Sequence, residues 1–348
     1  MEIKYLKNLD GVRAIAALLV LVFHVFQSLD FGPRYAPFIE NMAILGHFGV
    51  ALFFVLSGFL ITRILIASSR QTGYFKKFYI RRAVRIFPLY YLFLMLWYFV
   101  YPFFAHAGIA PIRDQLYFYT YQQGFPLTFK WDVKGPGHFW SLGVEEYFYI
   151  FWPVVVYWLS KKQLYRFSLI LILVAILTKW VLISHNYNDA FFPLGRFDAL
   201  AMGATLALLE LKSYFKSENA WKFLLLTIVF MVITLACNTN FIFKVKDSFA
   251  FLKYTLIAVV GFGMIGYLLC LSQSNALNRL LKTGFFSFSG KISYGLYVFH
   301  PLVFEIVSTY FPLGNWVGTA LLGMVAVYVT ATLSYYLFEA QFLKLKKY

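Results

Sequence analysis

Runs of about twenty apolar residues recur along this chain, and a helix of that length is what crosses the roughly 30 Å hydrocarbon core of a bilayer. Ten such segments can be traced, at residues 12–28, 48–67, 87–105, 138–158, 167–184, 197–211, 222–238, 250–271, 291–307 and 315–338, the sixth being the shortest. The expectation is an all-α membrane protein, a bundle of ten transmembrane helices. The composition agrees: of 348 residues, 61% are hydrophobic, 22% aromatic and only 13% charged, well outside the range of a soluble globular domain.

The formal net charge of +16 would by itself suggest a nucleic-acid binder. Its distribution argues otherwise, because the basic residues gather on every second loop, as the positive-inside rule demands. With the N-terminus inside, Lys4, Lys7 and Arg13, the run from Arg63 to Arg85, Lys161, Lys162 and Arg166, Lys212 to Lys222, Arg279 to Lys291, and Lys344 to Lys347 fall on the cytoplasmic side. The outer side keeps the sparser Arg34, Arg113, Lys130, Lys134, Arg196, Lys244, Lys246 and Lys253. Both termini are therefore expected in the cytoplasm. The partner implied is the lipid bilayer with its anionic headgroups, and no nucleic acid.

The N-terminal run has basic residues ahead of an apolar stretch, like a signal peptide, but it lacks a small-residue cleavage site and contains Asp10 and Arg13. It reads as a retained first helix. Cys237 and Cys270 fall at opposite ends of their spans, which excludes a disulfide between them. With no repeat and no linker, residues 1–348 read as one membrane-embedded domain, without a fused soluble esterase-like domain.

Chemistry is concentrated at a few polar residues set in apolar surroundings. Arg13 and His24 lie eleven residues apart, so a helix puts them on one stripe about 16 Å apart, an arginine at the mouth and an imidazole near mid-depth. An anchor helix needs no titratable group there, so His24 reads either as a helix-packing histidine or as a general base. The fourth span carries His138, Trp140, Ser141, Glu145 and Glu146, and the spacing of His138, Ser141 and Glu145 predicts one polar face. Glu145 is the candidate to orient His24, and Glu146 to pair with a cation or sit protonated in a packing interface. Arg196 and Asp198, at the head of the sixth span, and Tyr297 and His300, on the ninth, read as substrate contacts or as buried ion pairs and helix-end contacts. Gly203 reads as a close helix contact. Arg82 and Arg85, preceded by Arg81, form an Arg-x-x-Arg pair that topology alone could explain but that also suits the bidentate grip of a phosphate. No Cys/His metal cluster, Gly-rich phosphate loop or nucleophile elbow is visible, so no metal and no permanently bound cofactor is expected.

Six motifs in order resemble the acyltransferase-3 family of integral-membrane acyltransferases: LDGVRAIAALLVLVFH (residues 9–24), FGVALFFVLSGFLIT (48–62), RRAVRIFPLYY (81–91), HFWSLGVEEYFYIFWP (138–153), RFDALAMG (196–203) and ISYGLYVFHP (292–301). The resemblance spans essentially the whole chain. It implies a ten-helix core in the bacterial inner membrane, acyl-CoA (acetyl-CoA) as a cytoplasmic co-substrate, and O-acylation of a carbohydrate or lipid-linked glycan. The family's Arg-x10-His pattern falls on Arg13 and His24, its Arg-x-x-Arg on Arg82 and Arg85, and its Trp-Ser-Leu-x-x-Glu-Glu element on Trp140, Ser141, Leu142, Glu145 and Glu146. Tyr147 stands where the family often has Gln, and Gly143 where it often has Ser. The competing class is a proton-coupled transporter using Arg13, His24, Glu145 and His300, and a third is a scaffold in a polysaccharide export complex.

Overall fold

The structure, a computed structural model, describes residues 5–28, 36–105, 108–238 and 249–347; Lys4, Arg34, Lys244 and Lys246 of the charge argument lie outside them. Among the described residues the regular structure is entirely helical. A helix stands at each of the ten expected segments: α1 (Asn8–Ser28), α2 (Ala36–Ser68), α3 (Tyr74–Met95), α4 (Trp140–Trp158), α5 (Lys161–Ser184), α6 (Phe197–Leu211), α7 (Ala220–Asn238), α8 (Lys253–Cys270), α9 (Ser293–Tyr310) and α10 (Trp316–Leu333). Among the described residues seven stretches, built on α1, α2, α3, α5, α7, α8 and α10, are long and apolar enough to cross a membrane. The other three fall short of that measure, α6 with 15 residues and α4 with two glutamates in its first half.

Helix α3 begins well before residue 87, because hydropathy stops at the basic run while helix propensity does not: Lys and Arg are good helix formers. Arg81, Arg82 and Arg85 are thus helical residues. A π-helical stretch, Leu96–Val100, continues α3, and a second, Ser334–Glu339, follows α10. Helix α5 starts at a capping box in which Ser160 accepts from the Gln163 N–H and Gln163 answers at the Ser160 N–H. Its outer face is apolar, with Leu169, Ile170, Leu173, Leu177, Trp180 and Val181 exposed, and its buried face sets Ser168 and Lys179 among Leu164, Leu171, Ala175 and Leu182. An apolar face turned outward is what lipid as solvent produces.

The chain divides into two compact units. The first comprises Phe54–Tyr79 and Tyr90–Leu271. Within it α2 and α6 meet backbone to backbone: a Cβ at Gly203 would fall on the Val55 carbonyl, and one at Gly58 on the Leu200 carbonyl. Small residues at such crossings let helices associate where lipid leaves no hydrophobic drive. Helix α4 is tied to α2 by the Trp152 indole N–H on Thr62 Oγ1 (2.9 Å) and by the Ser57–Tyr149 hydroxyl pair (2.6 Å). The segment 108–137 holds two short helices, Ile112–Tyr119 and Gly124–Phe129. Tyr90 donates to the Phe118 carbonyl (2.6 Å) and its ring stacks on Tyr121 (4.2 Å), which pins this segment to α3.

The second unit comprises Tyr5–Phe53, Ile80–Leu89 and Ser272–Tyr348. Here α1 lies against the short helix Gly284–Lys291, with Gly290 over the Asp10 carbonyl and Gly11 over that of Leu281. Asn8 and Asn278, both fully buried, bond side chain to side chain at 2.9 Å. Ala17, Leu21 and Val25 of α1 then close a core with Ile292, Leu296, Phe304, Val327 and Ala331.

Candidate functional site

Within the second unit the residues of the Arg-x10-His pattern stay on one unbroken helix, so the rise keeps them about 16 Å apart. Arg13 is engaged with Asp10 (2.6 Å), which also accepts from the Tyr5 hydroxyl. The charges of Arg82 and Arg85 act on Arg13 as well, so three cations share one region of this unit. Arg82 and Arg85 are half-buried and stand three apart on α3, on one face, while Arg81 points to the exterior. The Tyr294 hydroxyl donates to the Ile86 carbonyl (2.8 Å), fixing that end of α3 against α9.

At the other end of the stripe, His24 makes one hydrogen bond among the described residues: Nδ1 to the Val20 carbonyl, 2.9 Å. A carbonyl only accepts, so Nδ1 carries the proton and the neutral ring presents its lone pair at Nε2. At Nδ1 the helix's own backbone orients the ring, a partner the sequence reading did not name beside Glu145.

The ring next to it is His300, fully buried, with centroids 4.5 Å apart and planes at 67°. Its Nδ1 lies 2.7 Å from the Tyr297 carbonyl. That bond has a local cause. Pro301 has no N–H to offer the carbonyl four residues back, and that carbonyl is Tyr297's. The His300 ring supplies the missing donor, so its tautomer is fixed as well. Two charged imidazoles at this separation would repel by about 4 kcal/mol at an effective dielectric near 20, so the pair holds at most one extra proton under ordinary conditions. Tyr297 itself packs edge-on against Phe53 (6.4 Å).

The remaining expected residues belong to the first unit. His138 falls in the 3₁₀ turn Gly137–Phe139 ahead of α4, so the α-helical spacing that placed it on a face with Ser141 and Glu145 does not apply to it. Ser141 and Glu146 are buried, and Glu145 is half-buried. Asp198 is spent internally: Oδ2 accepts from Lys179 Nζ (2.5 Å) and Thr255 Oγ1 (2.7 Å), and Oδ1 from the Ala199 N–H (2.8 Å). Arg196, also buried, is boxed by the rings of Tyr254 (4.3 Å), Trp140 (5.6 Å) and Phe54 (5.7 Å), and its Nε and Nη1 make no hydrogen bond among the described residues. Nearby, burial pushes the Asp189 carboxyl up against the pull of Arg196 and Lys179. No group of three or more His, Cys, Asp or Glu side chains able to hold a metal occurs among the described residues. Cys237 and Cys270 are free.

The model of an acyltransferase domain, that of acyltransferase-3, matches residues 6–337. The chain belongs to the acyltransferase-3 family. It is 26% identical, over 99% of its length and 58% of the relative's, to a Staphylococcus aureus protein named as a candidate O-acetyltransferase. An O-acetyltransferase, OatA, of Staphylococcus aureus is 24% identical over 90% of this chain and 53% of its own. The peptidoglycan O-acetyltransferase OatA of Listeria monocytogenes is 31% identical over 46% of this chain and 26% of its own. The acyltransferase-3 chain thus spans somewhat over half the length of the first of these relatives. No solved structure matches it.

One residue of the second unit escaped the sequence reading. Glu339 ends the π-helical stretch, is buried, accepts from Ser334 Oγ (3.1 Å), lies beside Gly295 and feels the charge of Arg85. A glutamate among the last apolar residues was the available signal, but the π turn that swings it inward has no sequence pattern of its own.

Proposed function

We propose that this chain is a membrane O-acyltransferase that carries an acyl group, acetyl first among them, from cytoplasmic acyl-CoA to a hydroxyl of a cell-envelope glycan, with ten crossings and both termini inside. The observation that carries the reading is His24: in a family of acyltransferases, an imidazole set in a membrane helix has its Nδ1 proton committed to the Val20 carbonyl and offers Nε2, the form a general base needs. The names of the OatA relatives support an acetyl group and a glycan acceptor.

In this reading Arg82 and Arg85 grip the donor's phosphates, with Arg13 beyond them, and the three clustered cations gain from the anion that separates their charges. His24 Nε2 takes the proton of the acceptor hydroxyl as its oxygen bonds to the thioester carbonyl carbon. The C–S bond then breaks, and the thiolate leaves with the proton that the imidazolium returns. The Val20 carbonyl stabilises the imidazolium between these steps. Glu145 stays in the proposal as a carboxylate of the catalytic centre, and His138, Trp140, Ser141, Glu146, Arg196, Asp198, Tyr297 and His300 as substrate or pocket residues. Membership in an acyltransferase family speaks against the transporter reading.

The test is reconstitution in proteoliposomes with acetyl-labelled acetyl-CoA and peptidoglycan oligosaccharides. Label on the oligosaccharide with one thiol released per acetyl is expected, lost by at least about 10²-fold in His24→Gln with normal membrane insertion. Label that crosses the bilayer unchanged, or full transfer by His24→Gln, overturns the reading.

A further inference from the structure

We propose that Arg196 and Asp189 form a subsite for neighbouring hydroxyls of the acceptor saccharide. The proposal rests on the acyl-transfer reading above and says which side chains of the first unit hold the acceptor.

The observation that carries it is a set of buried polar atoms that the chain leaves open. Arg196 is 1% exposed, and its Nε and Nη1 donate to nothing among the described residues. Asp189 is 9% exposed, and its buried Oδ2 accepts from nothing among them. A buried donor or acceptor without a partner costs free energy, a charged one most of all, so each such atom calls for an occupant. The two residues belong to one cluster. A Cβ at Gly195 would come to 3.7 Å from the Asp189 carbonyl oxygen and 3.2 Å from Lys179 Cγ, and the charges of Arg196 and Lys179 act on Asp189. Tyr254, Trp140 and Phe54 already pack around the guanidinium, at 4.3, 5.6 and 5.7 Å, so what Arg196 has left to offer is its N–H groups.

The class of the occupant follows from what is missing. Arg196 needs acceptors at two nitrogens, and Asp189 needs a donor. A carboxylate or carbonyl only accepts and an ammonium only donates, whereas a hydroxyl does both. Charge points the same way. Lys179 and Arg196 offset Asp189 and Asp198, so an ionic ligand would bring an uncompensated charge into a buried site and a neutral polyol brings none. Two donor nitrogens on one guanidinium suit oxygens on adjacent carbons, which is what a sugar ring carries. Position agrees as well: Arg196 heads α6, at its outer end in the ten-crossing topology, and Asp189, in the loop before it, is the most exposed member of the cluster. No bond is made or broken in this subsite. It holds the acceptor, and the proton transfer stays with His24.

Asp189→Ala removes the acceptor oxygen, and Arg196→Gln removes the guanidinium. Binding of peptidoglycan oligosaccharides to the detergent-purified full chain, with no donor present, is measured by saturation-transfer-difference NMR, and turnover in proteoliposomes gives the KM for each substrate. The expectation for each variant is an oligosaccharide affinity weaker by at least about tenfold, an acceptor KM raised in step, and a KM for acetyl-CoA within about threefold of wild type. A merely loosened fold would not single out one of the two substrates. Arg196→Gln empties an aromatic box and is the variant more prone to misfold; Asp189→Ala, at the edge of the cluster, then decides alone. No binding of the oligosaccharide by wild type, or wild-type affinity and acceptor KM in folded Asp189→Ala, overturns the proposal and leaves the site to water. Failure of the acyl-transfer reading looks different: wild type would transfer no acetyl, while the binding measurement would still report whether the oligosaccharide depends on Asp189.

Discussion

Replacing Asp198 with Asn changes one atom and removes one charge at the most enclosed ion pair of the first unit. Lys179 and Asp198 are 0% and 1% exposed, and the carboxylate takes hydrogen bonds from Lys179, Thr255 and the Ala199 N–H. Asparagine keeps an oxygen for one or two of these but leaves the Lys179 ammonium without its counter-charge. Removing one partner of a buried pair costs about 3–5 kcal/mol, whereas replacing both by apolar groups of similar volume is near neutral or stabilising. The expected order is therefore Asp198→Asn about 3–5 kcal/mol below wild type, and the double variant Lys179→Met/Asp198→Leu within about 1 kcal/mol of it. The assay is reversible unfolding in mixed micelles titrated with SDS, followed by tryptophan fluorescence, with acetyl transfer measured on the same preparations. A structural pair predicts that the double variant regains activity along with stability. If Asp198→Asn is as stable as wild type, or if the double variant is as unstable as the single, the buried-pair argument is wrong. If the double variant is stable and inactive, Asp198 has the substrate role its sequence position suggested.

Three further outcomes follow from the geometry. Replacing Arg82 and Arg85 by Gln should raise the KM for acetyl-CoA by tenfold or more with kcat changed less than threefold, and a KM unchanged in initial-rate measurements would remove the pair from donor binding. Glu145→Gln should lower kcat at least tenfold at constant donor KM, and retention of kcat within threefold would leave the orientation of His24 to the Val20 carbonyl alone. Gly203→Val drives a side chain into the Val55 carbonyl across the α2–α6 crossing and should cost roughly 3 kcal/mol or more, read as loss of folded protein by size exclusion in detergent; normal yield and melting would contradict the close approach.

The parts of this molecule that are legible in sequence are those set by local pattern. A helix stands at every segment that apolar length picked out, and Gly203, with Ala201 and Ala204 beside it, sits at a close crossing. Where hydropathy and helix propensity disagree, as in the basic first half of α3, hydropathy misplaced the boundary, since it measures what lipid accepts and says nothing of what the backbone does in the headgroup region. The site was legible as a set of residue types. Its pairings were not: His24 and His300 are 276 positions apart in the chain, and no spacing rule links them. The carbonyl at Nδ1 of His24 was missed for the opposite reason, because a backbone acceptor is present at every residue of a helix and leaves no mark in the sequence.

The bond between His300 and the Tyr297 carbonyl makes residues 300 and 301 interdependent. A chain that exchanges the proline for a residue with an N–H gives that carbonyl a donor again and releases the imidazole from its post. One that exchanges the histidine but keeps the proline strands a bare oxygen in a medium with nothing to offer it, a penalty of several kcal/mol. Drift at these two sites should therefore be concerted, with His-Pro surviving or disappearing as a dipeptide.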